Sequence, residues 1–221
     1  MILPGLITVK PEQTDIIYTL SDMVGQSFLE EGWTKELLFV LNEIGVKEER
    51  KLEISRSIIR NDFIVGAPYQ CVHALPDFTA AIGGFLSSDL KGRTWDELEK
   101  EAMQLTADTV LTKTECDVLK KQMEKMAPIS NFTWMIDDAK GSDFIYLFAV
   151  AVNLNNRRQG ALRKVLTPFL DYAASHKIKC YLECYSDKTE EIYTHFGFEN
   201  MQYLEDPAFS ITERCMVKYP H

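Results

Sequence analysis

The feature that most constrains the fold is an apolar segment in the C-terminal half of the chain. Residues 144–152 read FIYLFAVAV, without one charged side chain. A strand that is apolar on both faces is typical of the centre of a sheet that is covered on both sides. A polar turn over residues 153–159 and Gly160 follow, and apolar residues then recur at helical spacing from Leu162 to Ala173. The segment predicts a central strand that leads through a tight turn into an amphipathic helix.

The rest of the chain alternates between helical and strand patterns. Apolar residues recur at helical spacing in the N-terminal part, and short apolar runs bounded by turn residues predict strands. A charged segment, residues 89–127, predicts two helices that we interpret as a helical insertion. Together these elements predict an α/β fold, mixed and of α+β character, in which helices flank one central sheet. The predicted ranges are N-terminal helices within 12–61, a hairpin over 69–86, further strands at 6–9, 144–152, 179–184, 198–203 and 211–218, and helices near 162–173 and 187–196, all in one domain of residues 1–221.

The charge of the chain limits its partners. Its 33 acidic side chains outnumber 24 lysines and arginines, for a net charge of −9. Because phosphate binding needs a basic face, this charge disfavours nucleic acid as a partner. No apolar run approaches the roughly 20 residues of a membrane span, and the N-terminus lacks the basic region of a signal peptide. We therefore expect a cytoplasmic protein with no membrane partner, present as a monomer or a homodimer.

The cysteines and histidines point to packing. Five cysteines occur without a Cys-x-x-Cys pair, and the four histidines form no cluster with ligand spacing. With a cytosolic location, these patterns predict reduced thiols and no metal site. Cys180 and Cys184 are four residues apart on a predicted strand and share one face, which favours core packing. Cys184 as an acylated nucleophile is disfavoured, because no neighbouring histidine would activate it.

The turn after the predicted central strand is a candidate anion site. The free N–H groups at a helix N-terminus bind phosphates, and Gly160 lets the backbone approach an anion closely. Arg157, Arg158 and Arg163 add positive charge in an otherwise acidic chain. The alternative is an ordinary strand-to-helix turn with a solvated basic end, and these residues alone leave both interpretations open.

A second segment sharpens the interpretation. From Tyr181 to Glu199 the sequence predicts a strand and then a helix with Tyr193 in its last turns, followed by the pair Gly197-Phe198. This pattern resembles the second signature of the GNAT acetyltransferase superfamily. The earlier segment, Arg157-Arg-Gln-Gly-Ala-Leu162, resembles the superfamily's acetyl-CoA signature, Arg/Gln-x-x-Gly-x-Gly/Ala. The two segments lie in the superfamily's order, and the resemblance covers residues 144–219.

The resemblance implies a GNAT-like sheet and a role for acetyl-CoA (coenzyme A) as co-substrate, without a metal. It implies direct transfer of the acetyl group to a primary amine of a small molecule. The turn would bind the pyrophosphate, and backbone N–H groups near the end of the central strand would contact the thioester carbonyl and the pantetheine amides. The residues expected to bind the cofactor are Val150, Val152, Arg157, Arg158, Gln159, Gly160, Ala161, Leu162, Arg163 and Ser186.

Two residues are the catalytic candidates. Glu183, at the end of a strand, is expected to take the proton that the attacking amine loses; the alternative is a solvated or salt-bridged carboxylate. Tyr193 is expected to donate to the departing thiolate, as its place in the superfamily motif implies; the alternative is a core aromatic side chain with its hydroxyl at the surface. The acceptor pocket is expected among the N-terminal helices and the insertion.

The closest branch by pattern is the puromycin-N-acetyltransferase-like one, through Leu182-Glu183, Tyr193 and residues 216–220. The sequence also departs from the superfamily pattern. The departures are Leu162, where Gly or Ala is usual, Ser186 and Thr189, where this branch often has Asn, and Asn153-Leu154, where a residue followed by Pro is usual. The alternative function is therefore a non-catalytic CoA-binding or protein-interaction module with a degenerate GNAT fold.

Overall fold

A seven-stranded sheet lies at the centre of the fold. The computed structural model describes residues 1–220, and His221 lies outside the described part. The strands follow the order β1-β2-β3-β4-β5-β7-β6, and β4 and β5 form the one parallel pair within the described chain. The strands are β1 (Ile7–Thr8), β2 (Val72–Ala74), β3 (Ala80–Leu86), β4 (Phe144–Val152), β5 (Lys179–Cys184), β6 (Glu199–Leu204) and β7 (Glu213–Lys218).

Eight α-helices within residues 1–220 flank this sheet, which confirms the prediction of a mixed α/β fold. One face is covered by the seventh helix, and the other by helices from the N-terminal two thirds of the chain. The helices are α1 (Thr14–Phe28), α2 (Gly32–Phe39), α3 (Glu48–Gly66), α4 (Trp95–Thr109), α5 (Lys113–Met126), α6 (Trp134–Ala139), α7 (Ala161–His176) and α8 (Asp187–His195).

The apolar sequence of β4 is explained by this double cover. Ile145 and Leu147 pack under α7, whereas Tyr146 points to the opposite face and packs beside α4 and α6. Successive side chains of a strand point to opposite faces, so both faces of a central strand must be apolar. The predicted bounds of β4, residues 144–152, are confirmed.

A β-bulge interrupts β4. Ala81 pairs with Ala151 and Gly83 with Phe148, so two β4 residues lie opposite one residue of β3. Ala149 takes a φ of 48°, in the left-handed region. The side-chain alternation shifts there, because Phe148 and Ala149 both pack toward α1 and α3, and Val150 then packs under α7. The bulge thus bends the strand and redirects its last residues.

Several predicted boundaries need correction. Within residues 12–61, where the sequence predicts helices, α2 is short and is followed by a 3₁₀ turn over Val40–Ile44 that ends at Gly45. The first strand of the hairpin is only Val72–Ala74, because residues 67–69 form a 3₁₀ turn. The short helix α6 was not predicted, since six residues contain too few turns to display a helical period. Helices α4 and α5 confirm two helices in residues 89–127, while their description as an insertion stays a prediction.

Helix α8 begins at Asp187, where the sequence predicts its start, and its N-cap is Ser186. The Ser186 hydroxyl accepts a hydrogen bond from the Thr189 N–H at 3.2 Å, and the Ser186 N–H donates to the Thr189 hydroxyl at 3.3 Å. This reciprocal pair satisfies two backbone donors and fixes the first turn of α8.

The cysteines lie where the sequence places them. Cys180 and Cys184 are buried on one face of β5, in the core under α7, and all five cysteines are free thiols. Among residues 1–220, no helix combines the length and the apolarity that crossing a bilayer requires.

Candidate active site

The parallel strands β4 and β5 part in the middle of the sheet. Their pairing runs from Phe144–Lys179 to Leu147–Leu182, although β4 continues to Val152 and β5 to Cys184. The bulge at Ala149 turns the end of β4 away from its neighbour. Because the pairing with β5 ends there, the backbone of β4 beyond Leu147 faces a gap. Such a strand edge can bond an extended ligand as it would bond another strand.

The turn beyond β4 leads directly to the N-terminus of α7. Gly160 is the N-cap residue with a φ of 82°, and no side chain caps the first N–H groups of the helix. A Cβ built on Gly160 would find no atom within 4 Å, so the space in front of the turn is open. Arg157, Arg158 and Gln159 are exposed beside it. Free N–H groups, open space and two guanidinium groups fit a pyrophosphate.

Three predicted cofactor residues lie away from the open side of the turn. The side chain of Leu162 packs against the core under α7, so its bulk does not fill the space in front of Gly160. Arg163 instead contacts α8, where its Nη2 is 3.3 Å from His195 Nε2 and its guanidinium lies over the Phe196 ring at 5.3 Å. Ser186 caps α8, and its neighbour Thr189 lines the cavity described next.

A cavity of about 180 Å³ opens on the other side of the gap. Its walls come from the parted strands and from helices α1, α2, α3, α4 and α8, so the predicted N-terminal helices and residues 89–127 both contribute. The lining is rich in aromatic side chains, and within residues 1–220 no lysine, arginine or histidine contributes to it. Its aromatic members are Phe28, Trp33, Trp95, Phe132, Tyr146, Phe148, Tyr185 and Tyr193, and its carboxylates are Glu31, Asp62, Glu99 and Glu183.

The aromatic wall depends on a glycine in β3. A Cβ on Gly83 would come within 2.3 Å of the Phe148 ring, so only glycine leaves the ring room to lie across the strand. In that position Phe148 packs on Trp95, with 3.8 Å between ring centroids. This aromatic pair makes its part of the cavity wall apolar.

Glu183 lies at the meeting point of the gap and the cavity. Its Oε2 accepts a hydrogen bond from the Tyr146 hydroxyl at 2.5 Å, and its Oε1 accepts one from Trp134 Nε1. Burial, together with the charge of Glu213, raises the pKa of Glu183 well above its ordinary value. Each carboxylate oxygen keeps a second lone pair, so Glu183 is oriented by the protein and can still accept a proton.

A second buried carboxylate lies close enough to Glu183 to influence its pKa. Glu213 on β7 is fully buried, and it accepts hydrogen bonds from the Tyr185 hydroxyl at 2.7 Å and from the Asn131 N–H at 3.1 Å. Desolvation raises the pKa of Glu213 as well. Two buried carboxylates near each other disfavour double ionisation, which contributes to the raised pKa of Glu183.

Tyr193 faces the same cavity from α8. Its ring is half-buried, packs edge-to-face on Phe198 with 5.8 Å between centroids, and lines the cavity. Desolvation by burial raises the pKa of the Tyr193 hydroxyl, so it stays protonated at neutral pH. Arg214 on β7 holds α8 in place through Glu190 at 2.8 Å and through Asp187. Glu183 and Tyr193, chosen from the sequence, thus line one cavity.

Cys184 is not available as a nucleophile. Its side chain is buried in the core and contacts Met216 Sδ at 3.6 Å. Burial raises the pKa of the Cys184 thiol to about 12, so the reactive thiolate is scarce at neutral pH.

Three further carboxylates in the cavity wall were missed in the sequence. Glu31 caps α2 by accepting from the Trp33 N–H at 3.0 Å, and burial raises its pKa to about 7. Burial also raises the pKa of Asp62 to about 7 and that of Glu99 well above its ordinary value. A signal was present for two of them. Asp62 follows Ile58 and Ile59 on the buried face of α3, and Glu99 follows Trp95 by one turn of α4.

The fold is similar to solved acetyltransferase structures. An N-acetyltransferase from Staphylococcus aureus Mu50 is 15% identical, covers 96% of this chain and 98% of its own, and gives a TM-score of 0.53. A histone acetyltransferase HPA2 and related acetyltransferase from Corynebacterium glutamicum is 13% identical over 100% of this chain and 98% of its own, also with 0.53. A polyamine N-acetyltransferase from Drosophila melanogaster is 12% identical over 97% and 98%, with 0.50.

These similarities show that the chain shares its fold with solved acetyltransferases, as the two sequence signatures implied. No protein-family model matches the sequence, and no curated protein matches it significantly. The sheet and its flanking helices thus define the fold, and the residues of the site determine which activity it can support.

The buried carboxylates predict how stability depends on pH. In the folded protein burial raises the Asp62 pKa from 3.8 to about 7, so the folded state holds a proton that the unfolded chain releases. The contribution of this group is therefore favourable at low pH and is lost as pH rises through about 7. Asp62→Asn removes the ionisable group, and we expect it to raise Tm at pH 8.5 by on the order of 5 °C.

The same comparison at pH 5 serves as the internal control. There the folded protein carries Asp62 in its neutral form, so the gain from Asp62→Asn is expected to shrink. Thermal unfolding followed by circular dichroism at both pH values measures the difference. An equal gain in Tm at pH 5 and pH 8.5 would contradict a desolvated carboxylate at this position.

Proposed function

We propose that this protein is an acetyl-CoA-dependent N-acetyltransferase that acts on a primary amine of a small molecule by direct transfer. One observation carries the proposal. The anion-binding turn before α7, the gap between β4 and β5, and the acidic aromatic cavity adjoin one another, with Glu183 and Tyr193 where the gap meets the cavity. Two substrates can therefore approach each other from opposite sides of the sheet.

The donor side of the site fits CoA by its residues. The N–H groups of Ala161 and Leu162 and the side chains of Arg157 and Arg158 would hold the pyrophosphate. The backbone of β4 from Phe148 to Val152 would bond the pantetheine amides through its unpaired edge. Acetyl-CoA supplies an activated acyl group as a thioester. The bulged N–H groups near Val150 would stabilise the negative charge that develops on the thioester oxygen.

The two proton transfers of the reaction assign roles to Glu183 and Tyr193. As the amine nitrogen forms a bond to the acetyl carbon, the carbon–sulfur bond breaks and the sulfur takes the electron pair. Glu183 accepts the proton that the nitrogen loses, directly or through Tyr146, whose hydroxyl is bonded to it. Tyr193 gives a proton to the sulfur and regains one from solvent. Burial raises both pKa values, which brings that of Glu183 toward neutral pH, where it can act as a base, and keeps the Tyr193 hydroxyl protonated.

The substrates named for structurally similar proteins support a small-molecule amine as the acceptor. The structurally similar proteins include a polyamine N-acetyltransferase and an arylalkylamine N-acetyltransferase. The Leu182-Glu183 pair and Tyr193 keep the puromycin-N-acetyltransferase-like branch as our proposal for the subgroup. The cytoplasmic location and the monomeric or homodimeric state likewise stay predictions.

The first test is turnover. Purified protein with acetyl-CoA and a panel of primary amines should release free CoA, detected with a thiol reagent, and yield the acetylated amine by mass spectrometry. Tyr193→Phe keeps the ring and its packing on Phe198 but removes the donor, so we expect the rate to fall by about 100-fold or more with CoA affinity retained. Tyr172→Phe, on α7 and outside the cavity, is the matched control.

The outcomes separate the candidate functions. CoA binding without release on any amine would favour a non-catalytic CoA-binding or protein-interaction module. A wild-type rate in Tyr193→Phe would show that water or another group protonates the sulfur.

The cofactor turn is tested by a pair of substitutions at Gly160. Asp and Asn both tolerate its positive φ better than other residues, and they have nearly the same shape. Gly160→Asp adds a negative charge beside the phosphates, and we expect at least about 10-fold weaker CoA binding, or about 1.4 kcal/mol. Gly160→Asn adds no charge and should cost much less. Calorimetry with CoA measures both, and equal affinities for the two variants would remove the turn from the phosphate site.

The base is tested by a pH–rate profile. Because burial raises the pKa of Glu183, the wild-type rate should climb as pH increases and the carboxylate loses its proton. Glu183→Gln should lower the rate and abolish this acidic limb. Glu191→Gln, an exposed residue of α8, should leave the profile unchanged. If Glu183→Gln retains the limb, the titrating group lies elsewhere and Glu183 is structural.

A further inference from the structure

The cavity contains more carboxylate side chains than the proposed acetyl transfer uses. Glu183 accounts for one proton, and Glu31 is engaged as the N-cap of α2. Asp62 on α3 and Glu99 on α4 remain, and neither forms an ion pair with a basic group of residues 1–220. Both are half-buried and line the cavity wall between the two helices. The reaction proposed above uses neither of them.

Asp62 in particular lacks a partner. Its Oδ1 is fully buried and forms no hydrogen bond with the described part of the chain. A buried polar atom without a partner costs free energy, and a buried carboxylate costs more. A cationic ligand would supply the missing partner. Glu99 lines the same cavity and is also acidic, and the charge of Asp62 contributes to the raised pKa of Glu99.

The pair comes from other elements than the proton donor. Tyr193 belongs to α8, and Glu31 is the N-cap of α2. Asp62 belongs to α3 and Glu99 to α4, and both line the same cavity as Tyr146 and Glu183. The cavity thus contains two carboxylates besides Glu31 and Glu183, together with aromatic rings.

We propose that Asp62 and Glu99 form a subsite for a second cationic group, so that the preferred acceptor is an α,ω-diamine or a longer polyamine. This inference rests on the proposed acetyl transfer for its reaction, but the subsite can bind a ligand without any transfer. One amine loses its proton to Glu183 and becomes acetylated. The other stays protonated and is held by the Asp62 and Glu99 carboxylates, while the methylene chain lies against Trp95 and Phe148.

The subsite also explains how the product leaves. Acetylation converts one end of the diamine to a neutral amide, so the product carries one positive charge fewer than the substrate. Its attraction to the four carboxylates is correspondingly weaker. A monoamine, by contrast, would leave Asp62 and Glu99 without a counterion and would gain nothing from them.

The experiment compares diamines with monoamines of equal length. Calorimetry measures the affinity of the wild-type protein for 1,3-diaminopropane, 1,4-diaminobutane and 1,6-diaminohexane, each beside its monoamine, and kcat/KM is measured for the same pairs with acetyl-CoA. We expect at least one diamine to be preferred by about 10-fold or more. Asp62→Asn and Glu99→Gln should each reduce this preference strongly. Glu101→Gln, which lies on α4 but faces solvent and pairs with Arg93, should retain it.

Each outcome is decisive. A diamine preference in binding that Asp62→Asn removes, without acetylation of any amine, would keep the subsite and reject the acetyl transfer. Acetylation of amines without any diamine preference in the wild type would keep the transfer and overturn the subsite. A preference that survives in both Asp62→Asn and Glu99→Gln would also overturn it, because the second charge would then bind elsewhere.

Discussion

The parting of β4 and β5 is the constraint on which the rest of the site depends. Two parallel strands in the middle of a covered sheet would ordinarily pair along their length, because unpaired buried backbone groups are costly. Here the bulge at Ala149 ends the pairing at Leu147 and Leu182. The free strand edge, the N-terminus of α7 and the cavity all face the resulting gap. A ligand that bonds to this edge would restore the missing partners, so the cost of the gap is offset on binding.

The second constraint is the placement of carboxylates in an apolar wall. Glu183 is satisfied by Trp134 and Tyr146, and Glu213 by Tyr185 and Asn131. These bonds orient the groups, and burial raises their pKa values, so stability and reactivity are coupled through the same protons. Asp62 Oδ1 has no such partner within residues 1–220, and the proposed cationic subsite rests on that difference.

The sequence revealed the parts of the site that have a local pattern. The nine apolar residues of β4, the glycine turn at Gly160 and the end of α8 at Gly197 are encoded within short windows, and their predicted positions agree with the structure. The bulge is different, because it arises from register with β3, which no single segment encodes. The acidic cavity is assembled from α2, α3, α4 and β5, far apart along the chain. In the sequence, only the carboxylates that follow buried residues on α3 and α4 indicate this cavity.

The most direct measurement of the central claim is a crystal structure of the protein with CoA bound. The account predicts the pyrophosphate at Gly160, the pantetheine along β4 beyond Leu147, and the sulfur at hydrogen-bonding distance from the Tyr193 hydroxyl, facing the cavity that contains Glu183. A CoA molecule bound on another surface, or a gap filled by the protein's own side chains, would contradict it. Either result would show that the parted strands do not form a site for acetyl transfer.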